Sequence, residues 1–584
     1  MVDRGVLIAI CRPKYRAGTG RSTLPEVQNL FRTRMRQSGW ILGRTLVGAV
    51  ALALLFLAAV TWNRAQVFVP KSDGGVLVVF ADGDCQSRMQ RAAVVAENPG
   101  TIIRSHDFEN HPRGTVPHTT APMDYLIATL GVCIRPLDVA GAWISPLLGL
   151  VALLFLFFWS RALELRPRWP MLLLFAVSPA LTHAFALGRP DHQSLLVALT
   201  TIALAANFAF LRTQNSAWAW TSGAAWGLAL WVSWFEPLIL LATQEITRVL
   251  VLRGNKGNGR PARFRADITG ETPVPPARVE SLTAKHARCY PPPWCKALLL
   301  AAGIALAAWA IEGFRNPWPP EEVRALFPRW AAMLGELAPT DPRAMFTWTG
   351  WLLVPAPLLL LWAYWRRRDP LALIALILLV VITALTGWQA RWSPWQAAIF
   401  CLALPWMLAP LQKAWIIWVV FLASLWPVAW AWDARLSPSP AARAKTQETI
   451  VEAALIEQTA QYLRAQPRGG VLAPWWISPA LARQSGQPLV GGTSHQSLPG
   501  TADTARFFLA TDNNEAKTIL EKRRTLYIVT DDPERIIPTS AQLLGVDAPR
   551  NPLIRRLARG LDVPSFLEPV FANQFFRVYK VRDE

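Results

Sequence analysis

Asp82 and Asp84 stand one glycine apart in FADGDCQSR, directly after an apolar, strand-like stretch. Two carboxylates at that spacing can share a hard divalent cation such as Mg²⁺ or Mn²⁺, or face a phosphate through one. An Asx turn that leaves both carboxylates in water uses the same residues. Asp191, in GRPDHQSLL, lies at the lip of an apolar run, where a carboxylate without a partner is costly and so marks a candidate site. It is also placed to cap the helix that the apolar run after it predicts, and capping does not exclude metal binding. Glu336, in AAMLGELAPTDP, is by itself an ordinary loop carboxylate. Arg391, in GWQARWSP, offers a planar guanidinium suited to gripping a phosphate with two N–H groups, although an arginine snorkelling to a membrane interface has the same surroundings. His106, His111 and His118 come at separations that match no standard metal pattern and read as turn or interface residues. Cys289 and Cys295 have only His286 near them in a Pro-rich loop, too few ligands to distinguish a zinc site from solvated loop.

These residues are carried by a chain whose composition settles its solvent. Of 584 residues, 52% are hydrophobic and 17% charged, against ~25% charged in ordinary globular proteins. Mean hydropathy is +0.25. The net charge of +20 would suggest nucleic acid in a soluble protein, but here the basic residues sit between long apolar runs, where they orient membrane helices. The 29 tryptophans fit membrane interfaces. A soluble enzyme, a disordered chain and a nucleic-acid-binding module are excluded as readings.

The first apolar run, 40–62, is long enough to cross the bilayer, and the basic segment 1–39 before it places the N-terminus in the cytoplasm. Further spans are expected near 139–160, 169–188, 194–212, 217–234, 238–252, 297–312, 347–365, 371–387, 395–411 and 414–432, about eleven in all. Alternating sides then gives the cytoplasm Arg161, Arg166, Arg168, Arg212, the basic loop 253–296, Arg366, Arg367, Arg368 and Lys413. The shortest outer turns hold only Arg189 and Arg391, the asymmetry the positive-inside rule requires. The expected organisation is a transmembrane domain over 40–433, with outer loops at 63–122 and 313–346, and an extracytoplasmic α/β domain over 434–584. That domain is predicted to hold helices at 445–466 and 514–523 and strands at 470–474, 525–530 and 574–580. Asp82, Asp191, Glu336, Arg391 and the α/β domain thereby fall on one face of the membrane. Carboxylates for a metal, with an arginine for phosphate, make a site for a phosphate-bearing donor.

The order and wording of these motifs resembles the GT-C fold membrane glycosyltransferases, specifically the catalytic subunit of oligosaccharyltransferase and its bacterial and archaeal relatives. DGDCQSR looks like that family's first acidic motif, with Asp82 in the metal position and Arg88 six residues on, and Asp84 beside them. NHPRGTVPHTTAPMDYLIA is similar to its N-x-P-x-G stretch, and GRPDHQ to its Gly-x-x-Asp-His-His motif. Glu336, followed by Pro339, resembles the Glu of the fifth outer loop, and Arg391 before Trp392 resembles the donor-phosphate arginine. Two departures stand out. Gln193 replaces an acidic residue or His as second metal ligand, so that Gln193 or His192 takes that place. The family's Trp-Trp-Asp-Tyr-Gly reads WWISP here: Trp475 and Trp476 remain, while Ile477 cannot accept a hydrogen bond.

The resemblance implies a polytopic GT-C membrane enzyme of the bacterial inner membrane. It would be an inverting, Mn- or Mg-dependent transferase of a sugar or oligosaccharide from a polyprenyl (pyro)phosphate. Its acceptor would be a glycan, lipid or protein outside the cytoplasm, reached through Trp475, Trp476 and Glu336, and not a standard Asn-x-Ser/Thr sequon. The alternative is a non-catalytic GT-C-like membrane protein, or a lipid-glycan transporter or polymerase.

Overall fold

The computed structural model describes residues 43, 45–64, 66–71, 74–117, 119–256, 293–316 and 318–582. The basic segment 1–39, most of the basic loop 253–296 with His286 and Cys289, and His118 lie outside the described residues. The chain divides into two compact units, Met1–Leu52 and Ala53–Glu584. The described part of the first is essentially the start of the helix Thr45–Trp62. The second holds the remaining described helices and both sheets.

Among the described residues, six helices are long and apolar enough to cross a membrane: Thr45–Trp62, Leu137–Ala162, His192–Thr213, Trp294–Ile311, Pro370–Trp388 and Ala390–Leu411. A seventh candidate is the pair Ala414–Ser424 and Trp426–Leu436, bent by 48°. The eleven expected spans are thus corrected to six or seven, for physical reasons that differ from span to span. The segment 169–188 is broken into Trp169–Val177 and Pro179–Ala184, because Pro179 has no N–H to continue the ladder and holds Ser178 extended at φ −60°, ψ 123°. The segment 347–365 is interrupted at Gly350, which adopts φ 81°, and restarts after Pro355 as Ala356–Arg367. The helix Ser216–Val232 is only 17 residues long, and Phe235–Lys256 carries Glu236, Glu245 and Arg248 along its length. Helices Ser216–Val232 and Pro293–Ile311 pack backbone to backbone. A Cβ on Gly223 would come within 2.4 Å of the Ala297 carbonyl oxygen, and one on Gly227 within 2.7 Å of Ile304, the small-residue contact typical of helices in lipid.

Between the first two spans, strands β1 (Phe68–Pro70) and β2 (Val76–Val78) form an antiparallel ribbon, Phe68 opposite Val78. The chain leaves β2, donates a hydrogen bond from Ala81 N to the Gly188 carbonyl at 3.0 Å, and enters the helix Gly83–Glu97. That bond, with one from Arg64 Nη1 to the same carbonyl at 3.0 Å, ties the loop 63–122 to the turn at 188–193.

The C-terminal part starts with the helix Pro440–Arg464 and builds a four-stranded mixed sheet, β3 (Gly470–Leu472), β4 (Thr525–Thr530), β5 (Leu567–Ala572) and β6 (Arg577–Val581), in the order β3-β4-β6-β5. β3 runs parallel to β4, and β6 antiparallel to both its neighbours. Strand alternation supplies both faces. Tyr527, Val529 and Val578 join a core with Leu463 and Leu481, while Ile528 and Tyr579 join another with Phe507, Phe508 and Leu553. The predicted elements at 445–466, 470–474, 514–523 and 525–530 are observed as Pro440–Arg464, β3, Asn513–Lys522 and β4, and 574–580 is shifted to β6.

Candidate functional site

Asp82 caps the helix Gly83–Glu97: its Oδ1 accepts from the Cys85 N–H at 2.9 Å. Asp84 occupies the first turn, where the exposed N–H groups favour negative charge. Asp191 caps the helix His192–Thr213 in the same manner, accepting from Gln193 N at 3.3 Å. It is further held by His192 Nδ1 at 2.7 Å and Arg189 Nη2 at 3.5 Å. Asp82 and Asp191 are helix caps, as expected for Asp191, and both also line a cavity. Asp82, Asp84, Asp191, His192, Gln193, Glu336 and Arg391 share one cavity of about 1550 Å³. Gln193 Nε2 donates to Glu336 Oε2 at 3.3 Å. Beside the Glu336 turn, to whose Ala338 carbonyl the Ala390 N–H donates at 3.0 Å, Arg391 Nη2 forms an ion pair with Glu236, and its guanidinium carbon lies 5.8 Å from the centre of the Phe235 ring.

The charges crowd. Burial, reinforced by the neighbouring charges of Asp82, Asp191 and Glu336, pushes the Asp84 carboxyl up to about 7, with the Thr493 hydroxyl working against the rise. Burial also acts to raise Asp191, but His192, Arg189 and the Gln193 amide outweigh it and hold that carboxyl well below the usual carboxylate range. Carboxylate and amide oxygens are the hard donors that a divalent cation takes. Among the described residues, no group of three His, Cys, Asp or Glu side chains has the geometry of a metal cluster. The donor set fits by its chemistry, with the Gln193 amide as a neutral member.

Three expected site residues do not line this cavity, although Arg88 shares a small adjoining pocket with Asp84, Asp191 and His192. Arg88 is buried and bonds Asp124 at 2.8 Å and the Thr120 carbonyl at 3.2 Å. Arg91 joins it on Asp124 at 3.3 Å. Arg88 thus braces the helix that carries Asp82 against the helix Ala121–Cys133. Trp475 and Trp476, expected on the acceptor side, do not line the cavity. They meet edge to face at 5.7 Å beside a small pocket formed with Thr501, Thr504 and Ile536. Trp476 Nε1 donates to Asp531 at 3.1 Å, and Arg535 lies over its ring at 4.5 Å. Ile477 is 2% exposed and belongs to the sheet core, which draws the tryptophans away from the cavity.

The C-terminal part reaches the cavity instead through Thr493, His495, Gln496 and Pro499. A Cβ on Gly83 would come within 2.5 Å of the Thr493 methyl, so this loop lies directly on the start of the acid-bearing helix. Glu109 fastens the two: Ser87 donates to its Oε1 at 3.0 Å and Ser494 to its Oε2. Burial lowers His495 to about 4, with the Arg391 charge adding to the effect. His111 sits at the seam between loop and sheet, its N–H on the Leu489 carbonyl at 2.9 Å, an interface role as the sequence suggested. Sequence reasoning passed over Glu236, Arg189 and His495 as site residues. Glu236 had a signal, an acidic residue inside the apolar stretch WFEPL; His495, in GGTSHQS, had none.

No protein-family profile and no curated protein matches the chain. Solved structures do. The oligosaccharyltransferase of Archaeoglobus fulgidus tethered to an acceptor peptide containing the NVT sequon aligns with a TM-score of 0.59 at 16% identity, covering 86% of this chain and 71% of that one. The same enzyme in complex with Zn and sulfate gives 0.58 at 16% identity, covering 85% and 70%. The archaeal oligosaccharyltransferase AglB from Archaeoglobus fulgidus, in complex with an inhibitory peptide and a dolichol-phosphate, gives 0.57 at 15% identity, covering 85% and 70%. The chain is a polytopic helical membrane protein with the GT-C fold of these structures.

Proposed function

We propose that the chain is a membrane glycosyltransferase that moves a sugar or oligosaccharide, with inversion, from a polyprenyl (pyro)phosphate to an acceptor on the outer face of the bacterial cytoplasmic membrane. The observation that carries this reading is the meeting of Asp82, Asp84, Asp191, Glu336 and Arg391, far apart in sequence, on one large cavity. A leaving phosphate needs positive charge where its own charge develops, and an acceptor hydroxyl needs a carboxylate that orients it or takes its proton. Arg391 fills the first role and Asp82 the second, while Glu336 holds Gln193 in place. Asp82 and Asp191, with the Gln193 carbonyl or His192, would hold Mn²⁺ or Mg²⁺, which when bound neutralises charge on the leaving phosphate. The archaeal enzyme of like fold has been solved with a dolichol-phosphate and, separately, with Zn and sulfate, which supports the same ligand classes here.

The acceptor in this reading is a hydroxyl of a glycan, lipid or other envelope component. Recognition of a sequon hydroxyl through the two tryptophans is opposed by the burial of Ile477 and by the bond from Trp476 to Asp531.

The test is release of sugar from a labelled polyprenyl-linked donor by the purified protein, with Mn²⁺ and with EDTA. Metal-dependent release is expected. A folded protein that releases nothing under any metal would favour a non-catalytic GT-C-like protein, for which the pairing of Asp191 with His192 and Arg189 is the supporting observation.

A further inference from the structure

Glu236 has no role in the proposed transfer, yet it stands on the wall of the same cavity beside the residue assigned to phosphate. It is the second residue of the helix Phe235–Lys256, and its side chain is 1% exposed. Both carboxylate oxygens are engaged, Oε1 by Arg391 Nη2 and Oε2 by the Ser233 hydroxyl at 2.8 Å. Arg391 itself is 21% exposed.

A guanidinium is a rigid planar fork, so holding one Nη fixes the direction of the remaining N–H groups. A buried carboxylate holds it firmly, because breaking such a pair leaves a charge stranded. The same carboxylate also places a negative charge next to any anion that Arg391 binds. Resting on the phosphate-binding role proposed for Arg391, we infer that Glu236 is a positioning residue that aims the Arg391 guanidinium into the cavity and, by its own charge, keeps the grip on an anionic phosphate loose enough for release.

Geometry and charge can be separated. Glu236→Gln keeps the shape and a carbonyl that can accept from Arg391, but removes the charge. Glu236→Leu removes both. Binding of farnesyl phosphate to the purified full-length protein in detergent, read by calorimetry, should therefore move in opposite directions. Glu236→Gln should bind about tenfold tighter, as expected from removing one like charge a few ångströms away in a partly solvated site. In donor kinetics it should show lower KM together with lower kcat, because product phosphate leaves more slowly. Glu236→Leu should bind more weakly than the parent. A carboxylate that serves only to hold the fold would lower the melting temperature in both variants without this split in sign.

Arg391→Gln tells the phosphate site and the role of Glu236 apart. Probe binding that this change leaves intact, or no binding by the parent protein, removes the phosphate role of Arg391 and the inference with it. Binding that depends on Arg391 but shifts the same way, or not at all, in the Glu236→Gln and Glu236→Leu variants overturns the inference alone.

Discussion

Gln193 donates a hydrogen bond to Glu336 at 3.3 Å across 143 residues of sequence. The bond joins the first turn of a membrane helix to the short 3-10 turn Gly335–Leu337. It also gives the neutral amide a reason to be there: a carboxylate at position 193 would face Glu336 with like charge.

That relationship predicts a metal-dependent stability. Gln193→Glu should lower the melting temperature in EDTA and gain more than the parent from added Mn²⁺, since the new charge repels Glu336 until a cation stands between them. Differential scanning fluorimetry at several Mn²⁺ concentrations checks this. Equal Mn²⁺ shifts in both proteins would place position 193 away from any cation.

Asp82 and Asp191 are caps, so alanine would confuse a lost charge with a lost helix start, worth about 1 kcal/mol by itself. Asparagine caps nearly as well. Asp82→Asn should keep the parent melting temperature within a few degrees, Asp191→Asn should lower it further because Arg189 and His192 lose their counter-charge, and both should lose roughly a hundredfold or more in sugar release. Near-parent turnover in either would remove that aspartate from the chemistry.

An Asn-x-Thr peptide and its Asn-x-Ala counterpart should compete equally for the donor sugar, within about twofold. A site built to bond the hydroxyl would instead discriminate by orders of magnitude. Thr493 lines the cavity, whereas Ser478 spends its hydroxyl on the carbonyls of Ala473 and Pro474. A clear preference for the threonine peptide should therefore disappear in Thr493→Val.

His495 is lowered from 6.5 to about 4 in the folded protein. Between those values the unfolded chain binds the proton and the native one does not, so the stability from a neutral His495 is complete above pH 6.5 and is lost as pH falls toward 4. At pH 5.5 the loss should be on the order of 1 kcal/mol. His495→Gln should flatten this part of the melting-temperature profile, and an unchanged profile would show that the site stays open to protons.

Orientation has its own check. In a background without the native cysteines, Thr446→Cys should react with an impermeant thiol reagent in spheroplasts and Ser216→Cys should not. Both positions are exposed, so burial cannot decide the result. Labelling in the reverse order would place the cavity on the cytoplasmic side.

Apolar length and charge made most of the helices legible, because hydrocarbon imposes a simple rule on sequence. Continuity was harder to see. Ser178–Pro179 and Gly350 interrupt runs that a window of hydropathy averages over, although both carry visible breakers. Strand β5 was missed because Pro569 interrupts the alternation that Leu567 and Glu568 begin, at a register shift between Pro569 and Phe571, and it lies at the edge of the sheet. The carboxylates and Arg391 could be assigned to one face, but not to their bonds. The pairing of Arg391 with Glu236 spans 155 residues and follows from packing alone. Trp475 and Trp476 misled for the opposite reason: the motif persisted in sequence while the residue after it turned into the core.

Glu109 has a mechanical consequence. Through Ser87 and Ser494 it clamps the acid-bearing helix to the loop that presents Thr493 and His495. Helix Glu321–Ala331 is bound to the same block, by Val323 and Trp330 packed with Leu498 and Leu543 and by Arg329 on the Leu544 carbonyl at 2.7 Å. A tilt of the sheet would therefore drag Asp84 and this helix with it, and would not lift like a lid. Trp234, Phe235 and Trp309 line the same cavity with their rings partly exposed. In the proposed reading these rings are the apolar surface offered to the isoprenoid tail of the donor.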